Sequence, residues 1–144
     1  VERSAAIKAS VVERDEREVS GLRAALNYGH TFGHAFETAL GYGILLHGEA
    51  VAIGMAKAAR LAAAIGRVPK ELVQRQDRLL ERLRLPRSMA GLAQLDPTSL
   101  LEIMGRDKKA EGGRLRFVLP SRLGEVQLVD GIEPSLVRHI LAGD

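Results

Sequence analysis

Three of the four histidines fall within eighteen residues, at His30, His34 and His47, among glycines and almost no other charge. Imidazole is a common zinc ligand and titrates near neutral pH, so such a cluster can bind metal or move protons. His30 and His34 are four residues apart and share a helix face, and Asn27, three before His30, extends the row. A helical pair of this spacing holds zinc in the zincins, where a glutamate between the histidines is the base. Here Thr31, Phe32 and Gly33 stand between them, which excludes that signature. A single core histidine is more often hydrogen-bonded than ligating, and that reading stays open beside the metal one. Glu37 and Glu49 can each supply an oxygen ligand or serve as a solvated or capping carboxylate. A catalytic zinc needs three protein ligands and an open position, and the third ligand can lie outside this chain. His139 is read as incidental.

Lys8, Arg23, Lys108 and Lys109 are the candidate cations for an anionic ligand. Each is a surface residue by default. Arg23 lies seven residues before His30, two turns along the same helix face, and a guanidinium grips carboxylate or phosphate in bidentate fashion.

The elements that must position these groups read mainly as helices. Residues 1–19 form a helix with Ala5, Ile7, Val11 and Val12 on a loose apolar stripe, Lys8 beside it, and a solvated mixed-charge end at 13–18. Leu22 to about Leu40 is a second helix, with Gly29 and Gly33 costing about 1 kcal/mol each relative to Ala. Two such glycines four apart imply close approach by another backbone or a ligand. Ile44-Leu45-Leu46 connects to a very apolar third helix, Glu49 to about Ile65, capped by Gly66 and expected at the centre of the core. A fourth runs from Pro69 to Leu85, with Leu72, Val73, Leu79, Leu80 and Leu83 on its apolar face. Asp96 caps a short helix from Pro97 to about Gly105. Residues 114–119 alternate as a strand, Pro120–Gly124 suits a hairpin connection, and 125–129 form the second strand. Glu133-Pro134 starts a terminal helix to Leu141. The fold class is mainly α, a multi-helical domain with one small β-hairpin, and residues 1–144 make a single domain.

Composition narrows the function classes. The sequence of 144 residues is 46% hydrophobic and 27% charged, as expected of a soluble globular domain. Aromatics are only 3%, so Leu, Ala, Val and Ile must build the core. The absence of cysteine excludes disulfides and thiolate metal sites and fits a reducing compartment. The net charge of +3 comes from arginines interleaved with acids, without aromatics between them. A nucleic-acid interface is therefore not expected, whereas a small anionic substrate is compatible. No apolar run approaches the roughly 20 residues of a membrane span, and VERSAAIKAS does not read as a signal peptide. Val in place of an initial Met is expected of a fragment or a processed product.

LNYGHTFGHAFE followed by HGEAVAIGM closely resembles the C-terminal domain of 3-dehydroquinate synthases. IKASVVERDEREVSGLR, MGRDKK and RLRFVLP match that family's pattern as well, so the resemblance covers nearly the whole chain. It implies an enzyme with an N-terminal NAD⁺-binding α/β domain, absent from this chain, and a helical metal- and substrate-binding domain. It implies conversion of 3-deoxy-arabino-heptulosonate 7-phosphate to 3-dehydroquinate and phosphate in the shikimate pathway, with zinc (or cobalt) and NAD⁺, in a cytoplasmic homodimer. By motif position His30 and His47 resemble metal ligands, the third being a glutamate outside this segment. Asn27 and His34 resemble groups that hold the phosphate and assist proton transfer. Lys8 and Arg23 resemble residues that receive the substrate carboxylate, Glu18 an acidic residue near them, and Lys108 or Lys109 a substrate-binding lysine, Lys108 first. An isolated domain of this kind is expected to be inactive. A sibling sugar-phosphate cyclase and a non-catalytic helical metal-binding module are the alternatives.

Overall fold

The computed structural model describes residues 2–16, 22–41, 43–90, 94–109 and 115–143, residues 107–109 by backbone alone. Among the described residues six α-helices and one hairpin follow in the order α1 (Glu2–Arg14), a 3₁₀ turn (Arg23–Asn27), α2 (His30–Leu40), α3 (His47–Ala64), α4 (Lys70–Arg82), α5 (Pro97–Lys109), β1 (Phe117–Arg122), β2 (Glu125–Val129) and α6 (Pro134–Ala142). The expected mainly-α class with one antiparallel hairpin is what forms.

The core is assembled around α3. Ten of its residues are buried, seven of them Ala or Gly, and small side chains let neighbouring backbones come close. α2, α4, β1 and α6 all pack on it. The three phenylalanines of the chain, Phe32, Phe36 and Phe117, are each 1% exposed. Phe32 and Phe117 meet at a centroid distance of 5.3 Å, tying α2 to β1. Truncating either to Ala should cost about 3–5 kcal/mol. Arg60 on α3 pairs with Asp77 on α4 at 2.9 Å.

Several boundaries differ from the sequence reading. The expected helix from Leu22 to Leu40 is two elements: the 3₁₀ turn ends at Asn27, Tyr28 is extended, and Gly29 sits at φ +84° before α2 begins. Asn27 and Arg23 therefore do not continue the His30–His34 row. α3 begins two residues early, at His47, and α5 runs on to Lys109. On α4 only Leu80 is buried, while Leu79 and Leu83 remain 55% and 59% exposed. α1 buries no residue, and Ile7, read as part of its apolar stripe, is 57% exposed. The hairpin turn is just Leu123-Gly124. Pro120 and Ser121 belong to β1, Pro120 opposite Val126, and the register slips once between Pro120 and Arg122. No helix among the described residues is long and apolar enough to cross a membrane.

Candidate metal centre

Two helix starts bring the histidines together. His30 is the first residue of α2 and His47 the first of α3. Their rings lie 5.4 Å apart, centroid to centroid. His34, one turn into α2, lies 5.4 Å from His30 and 6.0 Å from His47. Glu37, three residues beyond His34 on the same helix face, reaches across so that its Oε1 lies 3.1 Å from Nδ1 of His47. If that nitrogen carries the proton and donates to Glu37, Nε2 of His47 keeps its lone pair for a ligand. Donor atoms of His34, Glu37 and His47 all fall within 4.8 Å of one another.

His30 is the enclosed member of the cluster. Its Nδ1 is buried without a hydrogen-bond partner. Desolvation is the main reason its pKa lies below the ordinary histidine value; the nearby Tyr28 carbonyl opposes this, and His34 and His47 add to it. The folded protein thus favours the neutral, ligating form of His30. Three imidazoles, one of them with an orphaned nitrogen, and a carboxylate make a donor set that fits a zinc-like divalent ion. Proximity groups His34, Glu37 and His47, whereas the motif resemblance picks His30 and His47. The two sets share His47, and the orphaned nitrogen keeps His30 among the candidates.

The cluster opens onto a cleft of about 600 Å³ lined by α2, His47 and the α5 residues Ile103, Met104 and Arg106. His34 and His47 are exposed there, while the Glu37 side chain is only 17% exposed. Arg106 was not singled out from the sequence. A short helix ending near Gly105 would have left it in a loop, whereas α5 continues and carries it to the rim. Glu49 is spent as a cap: its Oε2 accepts the Leu46 N–H at 2.9 Å.

The other candidates are placed less centrally. Asn27 is exposed at the end of the 3₁₀ turn. Arg23 is turned toward the end of α1, its Nη1 donating to the Glu16 carbonyl at 3.3 Å and its backbone N–H to buried Asp15 at 3.1 Å. Lys8 is exposed on α1 and is not among the residues lining the cleft. Lys108 and Lys109 belong to the last turn of α5, beyond Arg106; their side chains, and Glu18 altogether, lie outside the described residues.

Residues 1–110 match the family model described as 3-dehydroquinate synthase C-terminal. The 3-dehydroquinate synthase of Rhodopirellula baltica is 47% identical over 99% of the chain, and that of Methylococcus capsulatus 50% identical over 98%. The chain spans only 37% and 38% of those two proteins. Among solved structures, a 2-deoxy-scyllo-inosose synthase complexed with carbaglucose-6-phosphate, NAD⁺ and Co²⁺ is similar, with a TM-score of 0.72 and 29% identity. The match covers 93% of this chain and 37% of that one. A 2-epi-5-epi-valiolone synthase from Streptomyces hygroscopicus subsp. jinggangensis, with NAD⁺ and Zn²⁺ bound, shares the fold, with a TM-score of 0.73 and 24% identity. It matches over 92% of this chain and 35% of its own length.

Proposed function

This chain belongs to the 3-dehydroquinate synthase C-terminal family, and on that premise we propose that it is the metal- and substrate-binding part of a 3-dehydroquinate synthase. The longer enzyme would convert 3-deoxy-arabino-heptulosonate 7-phosphate to 3-dehydroquinate and phosphate, as a phosphorus–oxygen lyase of the shikimate pathway. The observation that carries this reading is the convergence of His30, His34 and His47 from two helix starts, with Glu37 beside them and with His34, Glu37 and His47 lining one cleft. Curated relatives of that activity at 43–50% identity favour it over a sibling sugar-phosphate cyclase, the two solved cyclases above being 29% and 24% identical.

His30 and His47 would hold a zinc or cobalt ion, with a further ligand from outside this chain. Such an ion, when bound, acts as a Lewis acid that fixes and acidifies a substrate hydroxyl. His34, exposed and lining the cleft, would hold the phosphate and accept or return a proton at a ring nitrogen. Asn27 would add a hydrogen bond to the same phosphate. Lys8 and Arg23 would receive the carboxylate, with Glu18 beside them. Lys108, or Lys109 next to it, would bind the substrate from α5. NAD⁺ would be held mainly by residues outside this chain. The assembled enzyme is proposed as a cytoplasmic homodimer. Catalysis by these residues is positioning and electrostatics.

The test is substitution in the longer enzyme proposed here. His30→Ala and His47→Ala should each lower turnover by more than about 100-fold and weaken metal binding. Unchanged turnover in both would leave a non-catalytic metal-binding module. Turnover of a different sugar phosphate in preference to the heptulosonate would point to the sibling cyclase. The chain alone should release no phosphate from the substrate.

A further inference from the structure

α2 and α3 meet backbone to backbone through glycines, and this contact involves Gly29, the residue before His30. A Cβ built on Gly54 of α3 would run into the Gly29 carbonyl oxygen and stand 2.9 Å from the Gly33 nitrogen. Those two atoms make the hydrogen bond that opens α2, Gly33 N–H donating to the Gly29 carbonyl at 2.9 Å. Any side chain at Gly54 would therefore push on the backbone bond that starts α2, one residue before His30. Gly29 cannot retreat without cost. It lies at φ +84°, and a Cβ placed on it would itself be 2.7 Å from Met55 and Val51 of α3. Its residue thus needs both the left-handed conformation and the missing side chain. Gly33 adds a milder contact, with Ala50 and Val51 3.2 Å from a built Cβ.

The same helix starts with His47. Gly54 sits seven residues later, two turns down one face of α3, where it touches the residue before His30. A rigid helix thus carries one histidine at its end and fixes the height of the other. We propose that Gly54 is a positioning residue: its contact with Gly29 sets the His30–His47 separation, and through it the affinity of the site for a divalent metal. It touches no ligand itself. The metal readout rests on the reading of His30 and His47 as ligands; the ring separation does not.

Gly54→Ala in this chain is the direct test, with Gly105→Ala as control, because a Cβ at Gly105 on α5 meets nothing within 4 Å. Helix content by circular dichroism should persist in both. Titration with Co²⁺ should show Gly54→Ala at least about tenfold weaker than the parent and Gly105→Ala unchanged. The rise in melting temperature on adding Zn²⁺ should shrink for Gly54→Ala, whereas a merely structural defect lowers the metal-free and metal-loaded forms alike. A crystal structure of Gly54→Ala should place the His30 and His47 rings further apart than 5.4 Å. Parent-like affinity with the spacing kept would overturn the inference. If Gly54→Ala does not fold, Gly33→Ala, which asks its neighbours to yield only a few tenths of an ångström, should show a smaller loss of the same kind; parent-like behaviour there sinks the proposal. Loss of metal in His30→Ala and His47→Ala beside a normal Gly54→Ala would reject the inference alone. Undiminished metal binding in the histidine variants would reject the ligand assignment, and the ring spacing would then decide the role of Gly54.

Discussion

Among single residues, Lys57 shows how much one side chain can hold that composition does not reveal. It lies in α3, the helix at the centre of the core, and is 2% exposed. Its Nζ donates to the Ile140 carbonyl at 3.1 Å and to the Gly143 carbonyl. These are carbonyls at the end of α6 that have no partner within the helix, where the helix dipole also favours a cation. The side chain therefore has partners inside, and its removal takes this donor away from both carbonyls. Lys57→Met, which keeps most of the volume, should cost about 1.5–3 kcal/mol by thermal or urea unfolding, and should speed exchange of the α6 amides. An unchanged melting temperature would mean that α6 is held by its apolar face alone. The candidate site was more legible than this lysine, because histidines are rare and three of them in one stretch stand out. What spacing could not decide was the choice between Glu37 and Glu49. Glu37 faces His47 across the gap between helices, whereas Glu49 folds back to cap its own helix.

At the scale of elements, helices were legible where apolar periodicity and caps agreed, and misread where one backbone angle overrode the pattern. The helix read from Leu22 to Leu40 runs through a point where the chain is not helical. Gly29 at φ +84° interrupts it, and the glycines' other message, close approach by a second backbone, was the one that mattered. Pro120 misled in the opposite direction. Its turn propensity pointed to a loop, yet it is buried within β1, in a two-stranded sheet that has no central strand. α5 shows a cap read correctly. Asp96 accepts from the Ser99 N–H at 2.9 Å, the Ser99 hydroxyl at 2.8 Å and the Thr98 N–H at 3.3 Å. These bonds, those from Ser99 first, hold its carboxyl below the ordinary value. The folded state thus favours the carboxylate. The stabilisation is complete above the unfolded-state pKa and is lost as pH falls through the lower folded-state value. Asp96→Ala should therefore melt below the parent at pH 7, with the gap closing as the pH is taken below about 4. A gap that stayed constant down to pH 3 would show that the carboxylate is not what caps the helix carrying Arg106.

Across the whole molecule, stability should be uneven in a way that bears on the proposed site. α3 contributes ten buried residues and is covered by α2, α4, β1 and α6. α1 contributes none, and its principal contact among the described residues is the 3₁₀ turn. The first buried residue after it is Asp15, which accepts the Arg23 N–H. Burial of apolar area is the main favourable term in folding, so an element that buries nothing adds little to global stability. Amides of α3 should exchange with solvent only through global unfolding, and those of α1 through local fraying at far lower free energy. It follows that the two functions proposed for this chain differ in rigidity. The histidines stand on the two helices at the centre of the fold, while Lys8 stands on a helix with no core beneath it. A version of the chain beginning at Asp15 should keep the melting temperature, the slow exchange of α3 and the Co²⁺ affinity of the full chain. If deletion of residues 1–14 instead lowered metal affinity tenfold while α3 stayed protected, α1 would be part of what orders the histidine cluster. The 3₁₀ turn, to which α1 is joined through Asp15 and Arg23, would then be the route by which it acts.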